Sequence, residues 1–231
     1  MIDNTDNKFC SAAEALNFAV DKSKGDYIVF VHQDILFEKN DVLEKIYEYV
    51  RMLPDKILGA AGKNDKNGTI TNIKHGIPPR QAGEIRVNGF EKVQTLDECL
   101  FIIPKNLFYK VNFDEKSIKN WHLYAVDYCL EAAKLDIESY VIDLNGVYHR
   151  SSGFSMNEHY YSTLRNIAKK HRNTTKYIYT TMGNWPTNRI VLEFYVLKHK
   201  LKRLLKKLLL ILSNNTIKKQ CVIGKKQQKN T

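Results

Sequence analysis

The residues best able to do chemistry begin with an acid that follows an apolar run, in Gly25-Asp26-Tyr27-Ile28-Val29-Phe30-Val31-His32-Gln33-Asp34. Tyr27–Val31 is continuous, apolar and β-prone, which predicts a strand buried on both faces of a parallel sheet covered by helices. A carboxylate just past the carboxyl end of such a strand lies where α/β sheets bind ligands. Asp34 there can hold Mg²⁺ or Mn²⁺, and such an ion neutralises a diphosphate leaving group. The competing use of Asp34 is to cap the next turn.

Three more positions carry reactive or recognition chemistry. Asp97 is set among Val93, Leu96, Leu100, Phe101, Ile102 and Ile103. Its carboxylate must find donors or face a cavity, because burying it unpaired is costly. Asp127 falls on a predicted helix and shares a face with Tyr124 and Glu131, which leaves Val126, Leu130 and Ala133 for the core. A carboxylate so presented suits a general base that takes the proton of an attacking hydroxyl. Trp121 offers an indole that stacks on the apolar face of a sugar ring, although core packing is the commoner fate of an aromatic.

The elements that must position these residues alternate between helix and strand. Helices are predicted over 10–22, capped by Ser11, and over 41–53, where Val42, Ile46, Tyr49, Val50 and Leu53 form a stripe before Pro54. Further helices are predicted over 121–134 and 158–172. Strands are predicted at 57–62, at 92–103 with a break at Asp97-Glu98, and at 139–143. The stretch 63–92, rich in Gly, Asn, Lys and Pro, reads as loop with a hairpin. This order defines an α/β domain. A long amphipathic helix follows over 190–212, with Leu197, Leu201, Leu204, Leu205, Leu208 and Leu212 on one face and Lys198, Lys202, Arg203 and Lys206 away from its centre.

Charge is distributed unevenly. The 231 residues carry 36 Lys/Arg against 25 Asp/Glu, yet from Lys198 onward there are eleven Lys/Arg and no acid. The body before it is therefore neutral, with 25 residues of each sign. A neutral body and a tail without interleaved aromatics argue against a nucleic-acid module, and a basic tail fits an anionic membrane surface. Cys10, Cys99, Cys129 and Cys221 form no CxxC pair and read as reduced thiols of a cytosolic protein. No secretory signal opens the chain, and the apolar run Leu208 to Leu212 is too short to span a bilayer.

Several segments, in order, resemble the family 2 glycosyltransferases, particularly their StrF-like bacterial branch. They run from Ala15-Leu16-Asn17 through His32-Gln33-Asp34, then Leu96-Asp97-Glu98 and Phe113-Asp114-Glu115. They continue with Trp121-His122-Leu123-Tyr124-Ala125-Val126-Asp127-Tyr128-Cys129-Leu130 and close with Tyr148-His149-Arg150-Ser151-Ser152-Gly153. The resemblance covers about residues 2–153. It implies a GT-A-like fold: a mostly parallel sheet flanked by helices, carrying an inverting transfer of sugar from a nucleoside-diphosphate donor, UDP-linked, to a hydroxyl of a glycan or lipid-linked acceptor.

The same resemblance implies roles for named residues. His32, Gln33 and Asp34 would contact the donor diphosphate, and Asp34 with His149 would hold a divalent metal; neutral imidazole suits Mn²⁺ better than Mg²⁺. Asp97, Glu98 and Trp121 would line the acceptor side. Many relatives carry an acid where this chain has Ala125, so the base is expected at Asp127, with His122 as the other possibility. Met1-Ile2-Asp3-Asn4 resembles the end of the second strand of a GT-A domain, so the expectation is a domain over 1–155 that lacks its first strand. A helical extension over 156–189, the basic helix over 190–213 and a disordered tail over 214–231 complete the expected organisation. The rival function is a catalytically silent binding or scaffold protein at the inner face of the cell membrane.

Overall fold

The asymmetry of one strand pair explains much of the architecture. In the computed structural model, which describes residues 4–66, 68–151 and 156–205, the apolar run Tyr27–Val31 is an edge strand and not a central one. The chain opens with α1 (Ala12–Lys22), β1 (Tyr27–Val31), β2 (Ile35–Phe37) and α2 (Val42–Met52). Short strands follow: β3 (Ile57–Gly59), β4 (Ala61–Lys63), β5 (Ile70–Thr71), β6 (Lys74–His75), β7 (Arg80–Gln81), β8 (Phe90–Val93), β9 (Thr95–Leu96) and β10 (Leu100–Pro104). Next come α3 (Lys105–Phe108), α4 (Tyr124–Ala133), β11 (Ser139–Ile142), β12 (Val147–His149), α5 (Glu158–His171) and the hairpin β13 (Tyr177–Thr180) and β14 (Gly183–Pro186). A last helix, α6, occupies 189–205 within the described residues.

The main sheet has the order β1-β10-β3-β11-β8. Only β3 and β11 run parallel; the other three pairs are antiparallel. The expected mostly parallel sheet is therefore a mixed one. β1 pairs antiparallel with β10 from Tyr27↔Pro104 to Val31↔Leu100. Lys105 N–H donates to Asp26 O at 2.7 Å and His32 N–H to Cys99 O at 3.0 Å, which extends the ladder at both ends. Backbone groups alternate along a strand, so those of Tyr27, Val29 and Val31 point away from β10. Among the described residues no strand pairs with that outer side, and Val29 and Val31 are 37% and 44% exposed.

Helices cover both faces of the sheet. Val42, Ile46 and Val50, spaced by four on α2, pack with Leu58, Leu100, Ile102 and Ile142 on one face. Burying three such side chains stabilises by about 5–8 kcal/mol as an upper estimate. On the other face Phe101 stacks on Phe30 at 4.6 Å, and Phe113 meets Phe30, Phe101 and Tyr124 edge-on. Ser11 caps α1 as expected: its Oγ accepts from Glu14 N–H at 3.2 Å, while the Glu14 carboxylate accepts from Cys10 N–H at 2.9 Å.

Two compact units divide the chain, residues 1–189 and 190–231. The stretch 156–189, expected to be a helical extension, is α5 plus a β-hairpin inside the first unit. Gln94 Nε2 donates to Tyr177 O at 2.9 Å, Thr95 donates to Tyr179 O, and Thr181 donates to Asp97 Oδ2 at 2.5 Å. In the second unit, Leu197, Leu201, Leu204 and Leu205 are each more than half exposed. Leu208, Leu212, Ser152, Gly153 and the tail over 214–231 lie outside the described residues. Among the described residues no helix is long and apolar enough to cross a membrane.

Candidate active site

A tight turn and a second sheet bring the candidate metal ligands together. Ile35 N–H donates to His32 O at 3.1 Å, which places Gln33 and Asp34 at the centre of the turn between β1 and β2. The second sheet has the order β2-β12-β6-β7, with Ile35 opposite His149 and His149 opposite His75. Arg150 N–H donates to Asp34 O at 2.9 Å and fixes the turn against β12. Gly76, at φ +87°, lets the chain turn away directly after His75.

The outcome is a cluster of imidazoles around one carboxylate. Ligand-capable atoms of His32, Asp34 and His149 all lie within 4.8 Å of one another. His149 Nε2 is 3.2 Å from Asp34 Oδ1. That oxygen is buried and makes no hydrogen bond, the state expected of an atom shaped to receive a cation. His32 Nε2 meets Tyr124 Oη at 3.2 Å, so one nitrogen is oriented from the start of α4. Desolvation lowers the pKa of His149, against the raising pull of Asp34 and Asp97; the neighbouring His32 and His75 lower it further. A neutral imidazole is the ligating form. The donor set thus fits a divalent metal. Gln33 is exposed in the same turn.

Beside this cluster lie the two acids expected on the acceptor side. Asp97 sits where β9 gives way to β10, and its carboxylate accepts from Cys99 N–H at 3.0 Å and from Thr181 Oγ1. Glu98 keeps part of its surface, but its Oε1 is buried and makes no hydrogen bond. Burial, and then the charge of Asp97, pushes the Glu98 carboxyl well above the usual carboxylate range, although the backbone amides of Leu123 and Tyr124 at the head of α4 pull it down. Trp121 is half exposed just ahead of α4. His122 follows it, with its N–H on Asn120 Oδ1 at 3.1 Å and its ring edge-on to Tyr160 at 5.9 Å. Desolvation lowers the His122 pKa, Asn157 raises it by hydrogen bonding, and His159 and His32 depress it further.

Asp127 is placed differently from the expectation. It is 1% exposed, its Oδ2 accepts from Lys170 Nζ at 2.8 Å, and its Oδ1 lies 2.9 Å from His171 Nε2. Both oxygens are engaged by α5, so the surroundings of Asp127, expected as the base, are those of a buried ion pair. Asp127, Glu131 and His171 are also close enough together to hold a metal. Lys170 already supplies the cation there, with Asp114 Oδ2 at 2.8 Å and Glu131 Oε1 at 3.2 Å as further partners.

A pocket of about 760 Å³ opens at the β8 edge, lined among others by Asn64, Lys66, Glu91, Lys92 and Glu138. It contains none of the candidate residues, and two charged pairs in its wall are already made, Lys66 with Glu91 and Lys92 with Glu138. The His32–Asp34–His149 cluster is the candidate site that groups metal-ligating side chains among the expected residues. His75 and Tyr124 were not anticipated there, nor Thr181 beside Asp97. His75 stands in a polar stretch without period, and only strand pairing reveals its neighbours.

Residues 4–173 match a family model described as a glycosyltransferase-like family, and the chain belongs to that family. The match runs through Lys170 and His171, and so includes the partners of Asp127. Membership points to a role in glycosyl transfer. No curated protein matches the chain.

Proposed function

We propose that the protein transfers a sugar from a nucleoside-diphosphate donor, UDP-linked, to a hydroxyl of a glycan or lipid-linked acceptor, with inversion at the anomeric carbon. The observation that carries this reading is the buried, unbonded Oδ1 of Asp34 facing His149 in a family member of glycosyltransferase type. Asp34, His149 and His32 would hold a divalent ion, which when bound supplies positive charge against the diphosphate. The exposed Gln33 stands beside them for a phosphate oxygen. Trp121 offers its face to a sugar ring, and Asp97 and Glu98 present their carboxyls to acceptor hydroxyls.

In the transfer, the acceptor oxygen forms a bond to the anomeric carbon as the bond to the diphosphate oxygen breaks, and the electron pair leaves with UDP. The acceptor proton goes to His122, whose pKa desolvation lowers. Release of UDP from UDP-sugars, measured with Mn²⁺ on the purified chain, tests the reading. Asp34→Ala should lower turnover by about 10²-fold or more; turnover unaffected by it would overturn the proposal.

A second reading has its own observation. Ala125 and the sealed Asp127 leave α4 without a free carboxylate, which favours a silent binding protein. Calorimetry separates the two: metal-dependent UDP binding favours the enzyme, and its absence favours the silent form. In either case the open leucine face of α6 and the basic residues beyond Lys198 support a peripheral seat on an anionic membrane.

A further inference from the structure

A cleft of about 360 Å³, sharing no residue with the histidine cluster, is walled by Lys63, Gly68, Thr69, Glu84, Thr181 and Met182 among others. One residue ties it to Asp97: Thr181 lines the cleft while its Oγ1 donates to Asp97 Oδ2 at 2.5 Å. Thr69 Oγ1 donates in turn to Thr181 O at 3.5 Å. Gly68 adopts φ +118°, and a Cβ there would come 3.0 Å from Glu84 Cβ, so this wall is built around bare backbone.

The charges in the cleft are not matched. The Glu84 carboxylate accepts from Thr69 N–H at 2.6 Å. Lys63, at the end of β4, is half-buried, yet among the described residues nothing supplies a hydrogen bond or a carboxylate to its ammonium. Lys56, Lys66, Lys74 and Lys92, by contrast, are each paired with a glutamate. A cation drawn part-way out of water without a partner favours an incoming anion. Met182, 41% exposed in the same cleft, offers apolar surface to the carbons of a ring.

We propose that this cleft is a second acceptor subsite, taking a sugar unit that carries an anionic group, with Lys63 pairing that group. Thr181 Oγ1, which donates to Asp97, keeps its lone pairs for a sugar hydroxyl. The subsite rests on the reading of Asp97 as the acceptor side, and it adds what the acceptor carries. A carboxylate and a phosphate present the same charge to an ammonium, so the probes separate them.

The test uses the full chain at low ionic strength, without metal or nucleotide, and reads the binding of glucose, glucuronate and glucose 6-phosphate by ligand-observed NMR. An anionic sugar should bind about 10-fold more tightly than glucose, the worth of one charge-assisted hydrogen bond. The tighter of the two identifies the group as carboxylate or phosphate. Lys63→Met should abolish the advantage, Lys63→Gln should do the same if the first variant folds poorly, and Lys63→Arg should retain it. Lys66→Met, at a lysine already paired on the β8 edge, should leave it unchanged. Anionic sugars bound no better than glucose, or an advantage that survives loss of the Lys63 charge, would overturn the subsite. Absence of metal-dependent UDP binding would count against the proposed transfer and leave the subsite standing.

Discussion

Lys170 Nζ sits 2.8 Å from Asp127 Oδ2 and 2.8 Å from Asp114 Oδ2, so one lysine of α5 clamps α4 to the turn that precedes it. His171 adds a contact to the second oxygen of Asp127, at 2.9 Å. Charges buried in this way are tolerated only as a set, because each offsets the desolvation of the others.

Breaking the set should cost stability rather than chemistry. Asp127→Ala removes one of the three carboxylate partners of Lys170 and the nearer partner of the buried His171, and is expected to destabilise by about 3 kcal/mol. Denaturant unfolding measures this. Where the variant remains folded, its UDP binding should match wild type, whereas a base at this position would lose turnover at full stability.

The same clamp should make the protein acid-labile. Desolvation works to raise the pKa of Asp114 and of Glu131, and the lysines outweigh it: Lys170 together with Ser117 at Asp114, Lys134 together with Lys170 at Glu131. Both carboxyls therefore titrate below their ordinary values of 3.8 and 4.5. The stability they contribute is complete above those unfolded-state values and is lost as pH falls through the folded ones. Melting temperature followed from pH 7 downward should drop steeply below about pH 4, and Lys170→Met should flatten that limb.

His122 sets the acid limb of activity if it accepts the proton. Its lowered pKa keeps the imidazole neutral to a lower pH than the ordinary 6.5, so kcat should hold through neutrality and fall only below that value. The sign for stability is the same: the unfolded state gains the proton first, so folding weakens as pH drops through 6.5. His122→Ala should reduce kcat by about 10²–10⁴-fold with little change in KM. A pH–rate profile unchanged by the substitution would remove His122 from the mechanism.

The leucine face of α6 is testable apart from catalysis. Leu201→Asp with Leu204→Asp should abolish sedimentation with vesicles rich in anionic lipid, while UDP binding by the first unit stays intact. Raising ionic strength should weaken binding of wild type, because the basic residues act through a screened field.

Local chemistry was legible in the sequence wherever it repeats along one element. The cap at Ser11, the Val42–Ile46–Val50 stripe and the position of Tyr27–Val31 follow from neighbours a few residues away. The setting of that strand did not follow, because a continuous apolar run fits a central strand and an edge strand covered on its faces equally well. Of the site, Asp34 and His149 were legible through resemblance, and Asp97 through the oddity of an acid among apolar residues. His75 was not, since β6 is two residues long and its meaning lies in pairing with a strand about seventy positions away. The fate of Asp127 was hidden for the same reason: helix periodicity shows which face it occupies, and the lysine and histidine that cover that face come from α5.

The unpaired side of β1 has a consequence for the protein as a colloid. Among the described residues nothing pairs with Tyr27, Val29 and Val31 on their outer side, the strand itself carries no lysine or proline to blunt that rim, and such rims seed association between copies. The body that carries the rim has no net charge to keep copies apart, and the whole excess of +11 resides from Lys198 onward. The basic end thus acts as the molecule's repulsive coat. A version cut before Lys198 should scatter more light as it is concentrated, and Val29→Lys should return it to clear solution.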